Sequence, residues 1–124
     1  MRISVMPFSF ARDLRSGAIT LPGFFAACAE LGADGVEISD RDVARLGEAA
    51  VSELLTQYGL DFAACIISKD FVTEDEKEFR EAVQQVQEEI DRAKRLGASK
   101  VMLSTGSPKE GIDDDRAREL IGEG

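Results

Sequence analysis

The sequence predicts an α/β protein built on a parallel sheet, and three observations carry that prediction. The segment Leu31 to Ser39 (LGADGVEIS) returns as Leu96 to Ser104 (LGASKVMLS), with a looser copy from Tyr58 to Ser68. In each copy a glycine ends a helix, and a short apolar run follows that stops at a serine. Glycine supplies the left-handed backbone of a helix C-terminus, and an apolar run bounded by turn residues suits a buried strand. Between the runs lie amphipathic segments of crossover length, which make neighbouring strands parallel through right-handed βαβ units.

The elements follow in order. Arg2 to Phe8 forms the first strand, with Pro7 confined to its end or to an edge position. Thr20 opens a helix with Pro22 and Gly23 in its first turn; Phe24, Phe25, Ala27, Cys28 and Leu31 give it an apolar face that ends at Gly32. The second strand is expected near residues 34–39, and a helix from Gly47 to Tyr58 carries Val51, Leu54 and Leu55. The third strand falls near residues 61–67. Thr73 and Glu76 have the spacing of a capping box, and Phe79, Val83, Val86, Ile90 and Ala93 then line one face of a helix running to Leu96. Glu88, Glu89, Asp91 and Arg92 form its water-facing stripe. The fourth strand lies near residues 99–104, and Gly111 to Gly124 starts a last helix with Asp113, Asp114 and Asp115 at its positive end. The expectation is a single unit over residues 1–124, four βα repeats with the last helix cut short.

Composition narrows the function classes. At 124 residues, 44% hydrophobic and 31% charged, the chain suits one globular domain and not a disordered or low-complexity segment. No stretch offers the roughly 18 apolar residues of a membrane helix, and the start does not have a secretory leader's longer apolar region. A cytoplasmic location without a membrane partner is expected. Fifteen Lys and Arg against twenty-four Asp and Glu give a net charge of −9, which disfavours a nucleic-acid partner. Cys28 and Cys65 lie in apolar segments outside any CxxC pair and are expected to be buried reduced thiols. The chain has no histidine, so the commonest general base and metal ligand is missing, and with it every Ser/His/Asp or Cys/His arrangement.

Parallel α/β proteins bind ligands beyond the carboxyl ends of their strands. There the sequence places Ser9, Phe10 and Arg12; Ser39, Asp40 and Arg41; Ser68, Lys69, Asp70 and Phe71; and Ser104, Thr105, Gly106 and Ser107. Strand-to-helix loops also need Ser, Thr and Asp as caps and turn formers, so only their convergence on one rim speaks for a site. Thr105-Gly106-Ser107 does not have the P-loop or dinucleotide-binding pattern and suits a turn. Glu37 is more informative. Alternation puts it with Ser39, Ile66, Ser68, Met102 and Ser104 on one side of the sheet, while Val36, Ile38, Val101 and Leu103 face the helices. A buried strand carboxylate needs a partner, so Glu37 is either a site residue or half of an ion pair, with Arg41 or Lys69 as its counterpart. The candidate binding set is Glu37, Ser39, Arg41, Ser68, Lys69, Asp70, Phe71, Ser104 and Thr105.

The runs Ala29 to Ile38, Gly59-Leu60-Asp61, Ser68-Lys69-Asp70-Phe71 and Ala93 to Val101 together resemble the opening half of the xylose isomerase-like (β/α)8 barrels. That superfamily groups sugar and sugar-phosphate isomerases and epimerases of carbohydrate metabolism with relatives that repair abasic sites in DNA. The resemblance implies a divalent metal (Mn, Mg, Co or Zn) held by Glu, Asp, His and Glu side chains at strand ends, mostly in the second half of the barrel. It also implies isomerisation by proton abstraction or hydride shift. Only Glu37 matches a recurrent family position, the acid closing the second strand. No catalytic residue and no metal ligand is therefore assigned within this chain.

Such a barrel needs about 250 residues, so the chain corresponds to the N-terminal half of a TIM-type barrel. Half a barrel leaves two free sheet edges and a bare inner face. A longer enzyme could supply the rest, two copies could pair through the edges, or the units could relax into an open flavodoxin-like sheet. The leading expectation is half of a metal-dependent sugar or sugar-phosphate isomerase or epimerase, inactive alone and self-associating when purified. The alternative is a non-catalytic small-molecule binding or scaffold domain. Abasic-site repair is disfavoured by charge and by the missing histidines.

Overall fold

The repeated glycine is left-handed in all three copies, with φ of 74° at Gly32, 63° at Gly59 and 80° at Gly97, and each ends a helix that a strand follows. The computed structural model describes residues 1–107 and 109–124. Among these residues four strands, β1 (Ser4–Val5), β2 (Gly35–Ser39), β3 (Asp61–Ser68) and β4 (Val101–Ser104), lie in the order β1-β2-β3-β4, and every neighbouring pair is parallel. A flavodoxin-like sheet would place its second strand outside its first. Sequential order is instead that of a barrel opened to half its circumference.

Among the described residues six α-helices connect and follow the strands: α1 (Ala11–Ser16), α2 (Leu21–Glu30), α3 (Asp40–Leu46), α4 (Glu48–Tyr58), α5 (Glu76–Arg95) and α6 (Asp114–Glu123). Thr20 caps α2 as expected, its Oγ1 accepting from the Gly23 N–H at 3.2 Å, and Asp113 caps α6 through the Arg116 N–H at 2.9 Å. Two short helices escaped the sequence reading. The first strand ends early because Pro7 opens a 3-10 turn over Pro7–Phe10 that runs on into α1. Ser39 then starts α3 by a capping box with Asp42. A correction also applies to α5, which begins at Glu76 because Asp75 takes the Lys77 and Glu78 N–H groups; Thr73 braces this turn from outside.

The core lies on one side of the sheet only. Val36 and Ile38 of β2 and Phe62, Cys65 and Ile67 of β3 meet Phe24, Phe25 and Cys28 of α2, Val43 of α3, Val51 of α4, and Ala82, Val86 and Ala93 of α5. Phe24 packs edge-on against both Phe10 and Phe25, with centroids 5.5 and 5.9 Å apart. Phe62 and Cys65 are three residues apart, which strict alternation forbids on one face. The register explains it: Val36 pairs with Phe62 but Glu37 pairs with Ala64, so Ala63 is an extra residue in a bulge. Among the described residues no helix covers the inner face. Ser4, Gly35, Glu37, Ser39, Ala64, Ile66, Ser68, Met102 and Ser104 share it by register. None of the described helices is long and apolar enough to cross a membrane.

The sequence placed Ile90 on the buried face of α5 and Glu89 in water. In the fold Ile90 is 41% exposed, while the Glu89 side chain is only 22% exposed. The buried stripe runs through Ala82, Val86 and Ala93, one residue round the helix from the larger apolar side chains. Small residues let α5 lie close on β3, and Glu89 falls on that inward line.

Candidate functional site

On the inner face Ser68 and Ser104 stand together at the carboxyl ends of β3 and β4, and Glu37 lies deeper, in the middle of β2. The register brings Ser68 directly beside Ser104 and puts Glu37 one strand over, level with Ala64. Glu37 is half-buried, and its Oε1 accepts the Ser4 hydroxyl at 2.5 Å from the neighbouring strand β1. Its partner is thus a neutral donor, and neither Arg41 nor Lys69 forms an ion pair with it among the described residues. A carboxylate held by one hydroxyl keeps acceptor capacity free for a ligand.

The remaining candidates separate by what holds them. Ser39 gives its hydroxyl to Asp42 at 2.7 Å and takes the Asp42 N–H at 3.1 Å, so its polar atom is spent on capping α3. Arg41 is exposed on the first turn of that helix. Thr105 is half-buried at the rim, where its carbonyl accepts the Phe71 N–H at 3.2 Å; the Ser104 carbonyl takes the Lys69 N–H at 2.9 Å. The chains leaving β3 and β4 therefore stay zipped beyond the strands. Asp70 locks the same junction: Oδ1 accepts the Val72 N–H at 2.9 Å and Oδ2 lies 2.7 Å from Lys109 Nζ. The Lys109 ammonium holds the Asp70 carboxyl below its ordinary range, with the Val72 N–H assisting against partial burial. Gly106 runs against this carboxylate at φ 105°, where an added Cβ would stand 2.4 Å from Asp70 Oδ1. Asp70 is a loop lock rather than a free ligand group.

Two expectations are corrected. Phe71 is fully buried, its ring tilted against Phe79 with centroids 6.1 Å apart, and it belongs to the packing under α5 and α6 rather than to the mouth. It follows an apolar strand closely enough to read as rim, yet the chain has already turned under the helix layer. Lys69 continues the alternation of Cys65 and Ile67, which puts its side chain on the helix side, where its charge reaches Glu89.

That helix side holds a cluster the sequence reading missed. Asp40 and Glu89 face Cys65 between β3, α3 and α5, with Arg92 and Lys69 beside them. Arg92 Nη1 approaches Glu89 Oε2 to 3.0 Å but off the line of a hydrogen bond. Glu89 Oε2 and Asp40 Oδ1 are both buried without a hydrogen-bond partner among the described residues. Burial raises the Glu89 carboxyl above its ordinary value, Asp40 and Glu88 adding to it against Arg92 and Lys69. Burial, reinforced by the two carboxylates, pushes the Cys65 thiol up to about 11, so it is an inert thiol. The signal available beforehand was that Glu89 lies three residues from Val86 and four from Ala93.

At the amino ends of the strands the inner face has a hollow of about 240 Å³ between Arg2, Asp34, Asp61 and Lys100. Arg2 pairs with Asp61 across β2 there, and Asp34 Oδ2 accepts the Ile3 N–H at 2.6 Å. Gly35 makes the crossing possible, since a Cβ on it would sit 2.7 Å from the Asp61 carbonyl oxygen. This hollow is the floor of the inner face, remote from Ser68 and Ser104; barrels place their chemistry at the other end.

A family model described as xylose isomerase-like TIM barrel matches residues 25–124. The chain belongs to the xylose isomerase-like TIM barrel family. Among solved structures, protein SMc04130 from Sinorhizobium meliloti 1021 is similar, with a TM-score of 0.69 and 23% identity over 77% of this chain. At that identity the likeness concerns the fold, and the match covers 35% of the other protein's length. No curated protein matches the sequence. The donor set of this xylose isomerase-like chain does not fit the metal that the resemblance implies. It has no histidine, no group of three or more Cys, Asp or Glu among the described residues is placed to hold an ion, and the neighbour of Glu37 is a hydroxyl rather than a second carboxylate.

Proposed function

We propose that this chain forms the substrate-side half of a cytoplasmic barrel that isomerises or epimerises a sugar or sugar phosphate, the metal-holding groups lying outside these residues. The observation that carries the reading is the placement of Glu37, Ser68 and Ser104 on one concave face, the two serines at its mouth end and Glu37 deeper, in a member of this family. Their chemistry suits a polyol. The free acceptor capacity of Glu37 takes a sugar hydroxyl, and the exposed Ser68 and Ser104 hydroxyls both donate and accept. Ser4 orients the carboxylate. A second reading, a binding module without chemistry, is favoured by the same missing donor set.

Purified 124-residue protein is expected to give no turnover of aldoses, ketoses or their phosphates with added manganese or magnesium. Sugar titrations followed by NMR should shift the amides around Glu37, Ser68 and Ser104, and Glu37→Gln should weaken the shifts. Turnover by this chain would overturn the dependence on a second half; shifts confined to the floor near Arg2 and Lys100 would overturn the site.

A further inference from the structure

Asp40 and Glu89 converge on the Cys65 thiol from two different elements, the first turn of α3 and the middle of α5, under the helix layer. Each brings an oxygen that nothing satisfies: Asp40 Oδ1 and Glu89 Oε2 are sealed from water and accept no hydrogen bond among the described residues. A buried polar atom without a partner is rare in a folded protein, and a charged one is costly.

The donors nearby are misplaced or engaged. Arg92 of α5 lies 3.0 Å from Glu89 Oε2, off the line of a hydrogen bond, and 3.5 Å from Glu48 Oε1 of α4. Lys69, past the end of β3, acts on Glu89 through its charge without a hydrogen bond among the described residues. Cys65 of β3 offers one weak S–H donor. Elsewhere on α3, Asp42 is turned to the Ser39 hydroxyl and to Arg45, and on α5 Glu88 accepts the Gln84 amide at 3.0 Å. The carboxylates of Asp40, Glu88 and Glu89 thus face only the cations of Lys69 and Arg92, and Arg92 is shared with Glu48. A carboxylic acid donates to a carboxylate, so a single proton would satisfy both orphaned oxygens and even the charge.

We propose that Asp40 and Glu89 hold one proton between them, which makes the seam between α3 and α5 a pH-sensitive joint. At acid pH the shared proton ties α3 to α5. As pH rises the proton leaves, two like charges stay in a seam that excludes water, and the joint loosens. Since α3 starts directly from Ser39, the last residue of β2, its first turn carries this change to Arg41 and the rim of the sheet. The inference does not rest on what the inner face binds.

Amide hydrogen exchange, read by NMR between pH 4 and 8 and corrected for the intrinsic pH dependence of exchange, tests the joint. Protection of the α3 amides from Ala44 to Gly47 should fall with rising pH, by up to about tenfold per pH unit, the limit for one proton. Glu89→Gln brings an N–H donor to Asp40 at every pH, so α3 should stay protected across the range. Asp40→Asn should lower the pH at which the Glu89 carboxyl carbon titrates. Wild-type protection of α3 that does not vary with pH overturns the inference. So does a pH dependence that survives in Glu89→Gln, or a Glu89 titration that Asp40→Asn leaves in place.

Discussion

Ser4 of β1 donates its hydroxyl to Glu37 of β2 at 2.5 Å, and this bond ties the shortest of the described strands to the carboxylate on the inner face of its neighbour. Two residues of ladder hold β1 in register, so a side-chain bond on the inner face is a large share of what fixes it. A hydrogen bond to a charged group contributes about 1.5 to 3 kcal/mol when sheltered, and exposure to solvent brings this one below that range. Ser4→Ala and Glu37→Gln should each lower stability by about 1 kcal/mol in urea titrations, and the double variant should lose less than the sum. Strict additivity would mean that the two side chains do not act as a pair.

The Asp70–Lys109 lock carries a pH signature. The folded carboxyl lies below its unfolded value, so its contribution is fully present above the ordinary aspartate range and is lost as pH falls through the folded value. Asp70→Asn should flatten the acid limb of the stability curve relative to wild type and leave the two proteins converging at low pH. Chemical denaturation between pH 3 and 7 reads this out; parallel curves would remove the lock from the account.

Glu89 has the opposite sign. Its folded carboxyl titrates above its unfolded value, so its contribution is present at acid pH and is lost as pH rises through the folded value. Glu89→Gln keeps the shape without the charge beside Asp40, so it should raise Tm at neutral pH and leave it unchanged near pH 4. A fall in Tm at neutral pH would show that the Arg92 ion pair outweighs the buried charge.

The parallel order and the face assignment of Glu37, Ser68 and Ser104 were legible because both rest on glycine punctuation and period-two alternation, which are local signals. Ser39 was legible as a position but not as a role: only the fold shows its hydroxyl committed to Asp42. Phe71 and Lys69 misled because both lie past the end of β3, where a strand's alternation and a loop's turn compete and the sequence does not say which prevails. Glu89 was missed for a different reason. A charged residue at the edge of an apolar stripe is ordinarily solvated, and here the small Ala82 and Ala93 draw the helix in and bring the carboxylate with it.

The additional residue at Ala63 divides β3 into two phases, and the upper phase decides what the mouth contains. Shorten the strand by that one position, and Ile66 and Ser68 would trade sides with Cys65 and Ile67: the Ser68 hydroxyl would be driven under α5, and a thiol and a butyl group would face the barrel interior. Any attempt to graft a βα unit from a relative into this scaffold must therefore count residues between Asp61 and Ser68 before it compares their chemistry.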